Sequence, residues 1–283
     1  MAKQTKKDVA TTNAGGAVAI PSYMEGKGGK GVENIGTSDI ETPRIALLQS
    51  TSKEVAEGDF KMGEFFHNIA EESLGDVVSF VPIYVDIRYI LWRPRHEGGG
   101  ILARADDGVN WQPNKGSVEV APFKDMPKKK TTWDWEGTVQ QSGLDQWGST
   151  DPDDEDSPPA ATKMYNIVCV LPEFPAHSPC VITLQRAAIT VARKFVGKLK
   201  MSEAPSYGMK FNMSSFVDQN AGGDEFRQYK FTSDGFVEED IFANCEALYE
   251  RFVAEGLHIK DIEGAQEEDA SGKPVGGGEQ PDY

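Results

Sequence analysis

Hydrophobic positions along this chain follow two different periods, separated by stretches that follow neither. The longest patterned run is Val77 to Trp92, dense in β-branched and aromatic residues that suit a pleated, half-buried surface. Pro82 lacks a ladder donor and marks a bulge or an edge within it. The run is longer than an ordinary strand, so it must bend or break, as strands shared by two sides of a closed sheet do. Thr162–Leu171 and Cys180–Leu184 predict two buried strands, with Pro172, Pro175 and Pro179 bracketing the turn between them. Tyr207–Met213 alternates, and Asn220–Asp224 supplies a turn that returns the chain as Gln228–Thr232, a hairpin. Two stretches keep the helical period instead. Ile189, Ala192, Phe195, Val196 and Leu199 line one face of a helix over Arg186–Lys200. Ile241, Phe242, Cys245, Leu248, Tyr249, Phe252 and Val253 line another, which stops at Gly256 and packs on the sheet. Around Thr42-Pro43 a first helical turn and an extended segment are both allowed.

The expected fold is mostly β with two helices, an oligonucleotide-binding-like partly open barrel with elaborations. The alternative is a two-layer α+β sheet. Residues 1–37, rich in Gly, Lys, Thr and Ala, are expected to be a disordered N-terminal segment. Residues 38–258 form one globular domain with a long loop insertion at 96–161, and 259–283 form a disordered acidic tail. Four of the five tryptophans (Trp111, Trp133, Trp135 and Trp147) fall in the insertion, where they either pin it to the domain or serve as stacking platforms.

Charge changes the picture. The formal net charge is −16, but much of the acid sits in Asp151–Asp156 and in the tail, which has seven acids against two lysines from Lys260 onward. Setting those two segments aside leaves about −6 on the rest, so its cations must cluster on one face to meet a polyanion. They interleave with aromatics: Tyr89, Trp92, Arg93 and Arg95; Lys128, Lys129, Lys130, Trp133 and Trp135; Arg227, Tyr229, Lys230 and Phe231. The helix adds Arg193 and Lys194, with no acid between Arg186 and Lys200. Rings stack on bases, and Lys and Arg replace the counterions of phosphates. Tyr229 and Phe231 share one face of their strand and Lys230 takes the other. Core packing is the competing account of any single ring.

Other chemistry finds little support. There is no phosphate-binding loop, dinucleotide fingerprint or nucleophile elbow. His67, His96, His177 and His258 are scattered, and His177, Cys180 and Cys169 do not have the spacing of a zinc site. Cys169, Cys180 and Cys245 are read as reduced thiols, with Cys169 and Cys245 as small buried hydrophobes. The expectation is a non-enzymatic protein with no cofactor and no metal. No apolar run reaches transmembrane length, and Lys3, Lys6 and Lys7 precede no apolar stretch, so neither a membrane span nor a secretory signal is expected.

The run Thr42–Gln49, with Gly58-Asp59-Phe60, Gly63–Phe66, Val81-Pro82-Ile83, Tyr89–Arg95 and Gly98–Gly100, resembles a group of tailed-bacteriophage proteins, some single-stranded-DNA-binding or replication-associated, over about residues 38–255. The resemblance implies a sequence-independent single-stranded DNA binder that protects replication or recombination intermediates in the cytoplasm of the infected cell. It further implies an acidic tail that recruits phage or host replication proteins, and a homo-oligomer is allowed. The tail departs from that pattern: it ends Pro281-Asp282-Tyr283, where many such tails end in acids and a terminal Phe. The alternative function is a protein-interaction or virion component docking through the Trp-rich middle.

Overall fold

The computed structural model describes residues 23, 30–31, 41–92, 100–113, 137–150, 153–219 and 223–255, with the backbone alone at 255, 267–268 and 274–275. In chain order the elements are β1 (Arg44–Leu47), α1 (Lys53–Ala56), β2 (Phe65–His67), β3 (Glu72–Gly75), β4 (Val77–Trp92), β5 (Ile101–Ala105), β6 (Gln112–Pro113), α2 (Val139–Ser142), β7 (Ala161–Val170), β8 (Cys180–Gln185), α3 (Ile189–Met201), β9 (Met209–Gln219), β10 (Glu225–Phe236) and α4 (Glu239–Glu255), followed by a two-residue pair, β11 (Glu267–Glu268) and β12 (Pro274–Val275). The segment after Pro43 is therefore a strand, not a helical turn.

The first ten strands form one open, mixed sheet. Its path is β10-β9-β4-β7-β8-β1-β2-β3, with β5 and β6 added beside β4. The β1–β8 pair is parallel and the other described pairs of this sheet are antiparallel. Of the expected partly open barrel, the structure shows the mostly-β character and an open ladder, and no closed barrel forms among the described residues. The architecture is mostly β with few helices, but β10 and β3 do not pair and the ladder stays open.

β4 organises the sheet. Its first residues, Val77–Phe80, pair with β9, and Val81–Leu91 pair with β7. Between Pro82 and Tyr84 the register with β7 shifts, the bulge that Pro82 announces. A bulge reverses the alternation of side chains. Val78 and Phe80 point into the main core before it, and Val85 and Ile87 do so after it. Ile83 and Tyr84, at the bulge, both turn to the opposite face, against α4.

The main core draws on β1–β4 and β7–β10 and is closed by α3. Phe195 of α3 is almost wholly buried, with ring centroids 4.9 Å from Phe231, 5.0 Å from Phe211 and 5.9 Å from Phe80. Burying such a side chain contributes about 1.5–3 kcal/mol, and each ring pair about 0.5–1.5 kcal/mol more. α4 covers Val81 and Ile83 on the other face through Cys245, Leu248 and Phe252. The 96–161 insertion builds a smaller core in which Trp111 packs with Tyr89, Leu91, Leu102 and Leu144. The Trp111 indole N–H donates to Ser142 Oγ at 3.1 Å. This tryptophan anchors its segment.

The open end of the ladder is finished by side chains. Gln49 Oε1 accepts from the Arg227 N–H at 2.8 Å, and Gln49 Nε2 donates to the Arg227 carbonyl at 3.0 Å. One amide thus satisfies both backbone groups that a further strand would take. Gln228 Oε1 accepts from the Tyr229 N–H, and Lys198 Nζ donates to the Phe231 carbonyl at 3.1 Å. An unpaired edge strand templates aggregation, and these contacts blunt β10.

Candidate nucleic-acid interface

Directly opposed residues of an antiparallel pair share a face. Arg227, Tyr229 and Phe231 of β10 stand opposite Val217, Ser215 and Met213 of β9. This is the inner face. Phe231 is buried in the main core, and Tyr229 packs against it with its hydroxyl accepting from the Leu47 N–H at 3.3 Å. The predicted alternation holds, but it turns these two rings inward. Phe231 offers no free face to a base, and Tyr229 is half-buried.

Phe226, Gln228 and Lys230 stand opposite Asp218, Phe216 and Ser214 on the outer face. Val77 of β4 lies opposite Ser214 and extends the row. α4 covers the sheet farther along, at Val81 and Ile83; at this end Gln228 is buried, its amide donating to the Ala187 carbonyl at 3.2 Å, and its neighbours are less covered. Phe216 is 42% exposed and Val77 56% exposed; Phe226 is half-buried and Lys230 exposed. Lys230 and Phe216 are diagonal neighbours across two strands, within reach of one ligand. Phe216 escapes sequence reasoning because no cation adjoins it in the chain; only the β9–β10 register brings one. Asp218, opposite Phe226, opposes an anion here.

On the other side of the β10 edge lies α3. Ala192 and Phe195 are buried, while Arg193, Lys194, Lys198 and Lys200 line the rest of the helix and carry its charge. Among the described residues Arg193, Lys194, Lys200 and Lys230 have no carboxylate partner. The Lys198 contact to Phe231 ties this basic helix to the edge beside Lys230. Of the candidates read from the sequence, the structure thus gathers Arg193, Lys194, Arg227 and Lys230 around β10. Tyr89 is buried in the smaller core, with Lys163 Nζ 5.3 Å from its ring centroid, and Trp92 is half-buried at the end of β4. Arg93, Arg95, Lys128, Lys129, Lys130, Trp133 and Trp135 lie outside the described residues.

Three clusters of reactive side chains join residues that are distant in the sequence or unremarkable in it. His177 bonds Glu72, and its ring centroid lies 5.0 Å from that of His67. His67 Nδ1 accepts from the Ala70 N–H, and burial followed by the neighbouring His177 holds its pKa below the ordinary imidazole value. Cys169 and Cys180 face each other across β7 and β8 with sulfurs 3.7 Å apart, and burial pushes the Cys169 thiol well up. Arg88, buried, joins Asp86 at 2.6 Å and Asp106 at 3.4 Å; burial raises the Asp86 carboxyl although Arg88 opposes the shift. Among the described residues no group of three His, Cys, Asp or Glu is placed to hold a metal. No helix of the described residues is long and apolar enough to cross a membrane.

The model of one protein family, described as Pam3 phage gp34-like protein, matches residues 11–258. No curated protein and no solved structure matches the chain. The family match spans every strand of the ten-stranded sheet together with α1–α4. The matched span includes the sheet and the residues around β10, and this chain belongs to the Pam3 phage gp34-like proteins.

Proposed function

We propose that this chain is a non-enzymatic, largely sequence-independent single-stranded DNA-binding protein that protects phage replication or recombination intermediates. The observation behind this reading is the diagonal placing of exposed Phe216 beside exposed Lys230 on the outer face of the β9–β10 hairpin, near an acid-free helix. A ring accepts any base, each stacked base contributing about 1–3 kcal/mol, and unpaired cations along the strand path release phosphate counterions. A flexible single strand can cross the β10 edge from α3 to Phe216 and Phe226; a stiff duplex fits that bend poorly. Such a face is similar to the strand-binding face of oligonucleotide-binding folds, although the ladder here is open. The acidic tail recruits replication proteins, and the chain acts in the cytoplasm of the infected cell.

Fluorescence anisotropy of a labelled mixed-sequence oligonucleotide, single-stranded and duplex, across a salt series tests the proposal. Single-strand binding that weakens with salt, with little duplex binding, is expected. Absence of binding at low salt refutes it.

The second reading, a virion component that docks proteins, draws on Trp147, which is 65% exposed in the loop after α2. Stable association with particles in the absence of DNA affinity is its expected signature.

A further inference from the structure

Arg227 has a well-packed guanidinium but no ion-pair partner among the described residues. It lies on the inner face of the hairpin opposite Val217, its backbone held by the Gln49 amide. Its side chain crosses over Gly63. A Cβ on that glycine would stand 3.1 Å from Arg227 Nε, 3.3 Å from Cζ and 3.2 Å from Ser215 Oγ. Gly63 has φ +98°, a left-handed conformation suited to glycine, and it is buried. Its N–H donates to the Leu48 carbonyl at 2.8 Å, and its own carbonyl accepts from Ser215 Oγ at 3.0 Å. The floor under the guanidinium is therefore tied down on both sides.

Nε of Arg227 is sealed from solvent and has no hydrogen-bond partner. Among the described residues no carboxylate lies within ion-pair distance of the guanidinium, and no acceptor engages its Nη atoms, which are not sealed. Partly desolvated charges in folded proteins are ordinarily paired, because leaving water without a counter-charge is costly. Here a half-buried cation sits on a fixed floor with its Nε edge closed and its Nη atoms unsealed and, among the described residues, unengaged. A guanidinium fork matches two oxygens of an oxyanion.

We infer that Arg227, seated over Gly63, is a binding site for a phosphoryl oxyanion. The site itself stands on this geometry; assigning its ligand to a DNA phosphodiester rests on the single-strand reading.

The test follows the ¹⁵Nε–Hε resonance of Arg227 in the full chain, assigned by its loss in R227K. Sealing of Nε slows exchange of that proton and keeps the resonance visible. Inorganic phosphate is added first, then a mixed-sequence single strand. Phosphate is expected to shift the resonance, and to raise the melting temperature of the wild type but not of R227Q. The single strand is expected to bind R227Q about tenfold more weakly, with a log–log salt slope shallower by about 0.7. R227K is expected to keep the slope and lose the phosphate-induced stabilisation. A resonance unmoved by phosphate overturns the site, whatever the DNA result. A phosphate shift without oligonucleotide binding leaves the site standing and overturns the single-strand reading. A lower melting temperature of R227Q in phosphate-free buffer overturns the site in favour of a structural arginine.

Discussion

Replacing Gln49 by alanine tests how the open end of the sheet is held. The amide makes two bonds to Arg227, at 2.8 and 3.0 Å, and a longer one of 3.4 Å to the Leu47 carbonyl. If water reaches the vacated groups, each lost bond costs about 1 kcal/mol; if they stay dry, each costs up to about 3 kcal/mol. Both residues are half-buried, so Q49A is expected to lose about 2–4 kcal/mol, or roughly 4–16 °C in melting temperature for an ordered region near 200 residues. The loss is expected to be local in origin. Hydrogen exchange at the Arg227 amide should accelerate well beyond that of Phe211 in the adjoining strand, where the ladder is intact on both sides. Denaturant unfolding by two probes, combined with amide exchange, measures both effects. A loss below about 0.5 kcal/mol with unchanged Arg227 exchange would refute the claim that a side chain substitutes for a missing strand.

Three further outcomes are expected. F195A removes the ring around which Phe80, Phe211 and Phe231 gather and should cost about 3–5 kcal/mol in denaturant unfolding. His67, held neutral by burial, has a folded pKa below its unfolded one; stability is therefore complete above the ordinary imidazole value and falls as pH drops through the folded pKa, and H67Q should flatten that part of the stability–pH curve. The Cys245 thiol is pushed up to about 11 by burial, and Cys169 and Cys180 lie in the main core, so a colorimetric thiol reagent at mildly alkaline pH should label none of the three until the chain unfolds.

The long-period features were legible in the sequence because each has enough repeats to show its geometry. Val77–Trp92, the two helices and the β9–β10 hairpin appear at nearly their expected places, and Pro82 sits at the bulge. The short strands were not legible. β2, β3 and β5 have three to five residues each and their pairings contain register shifts, too little for any period to emerge. The strand order of the ladder was not legible for the same reason, since it depends on which short strands join. Face assignment explains the changes at the site. Alternation placed Lys230 opposite Tyr229 and Phe231, but alternation alone does not say which face is core. Phe216 belonged to no charged motif, and the register made it a neighbour of Lys230. The His67–His177 contact joins residues far apart in the chain and had no local signal.

Single-strand affinity of F216A and K230Q beside the wild type, across a short salt series, tests the outer β9–β10 face directly. Both positions are on an open face, so folding should be little changed, which melting curves can verify. F216A is expected to weaken binding about 5–150-fold at any one salt concentration, equivalent to about 1–3 kcal/mol for one stacked base. K230Q is expected to shallow the salt slope by about 0.7. Wild-type binding with both variants indistinguishable from it would contradict the assignment of the outer β9–β10 face as the strand's platform.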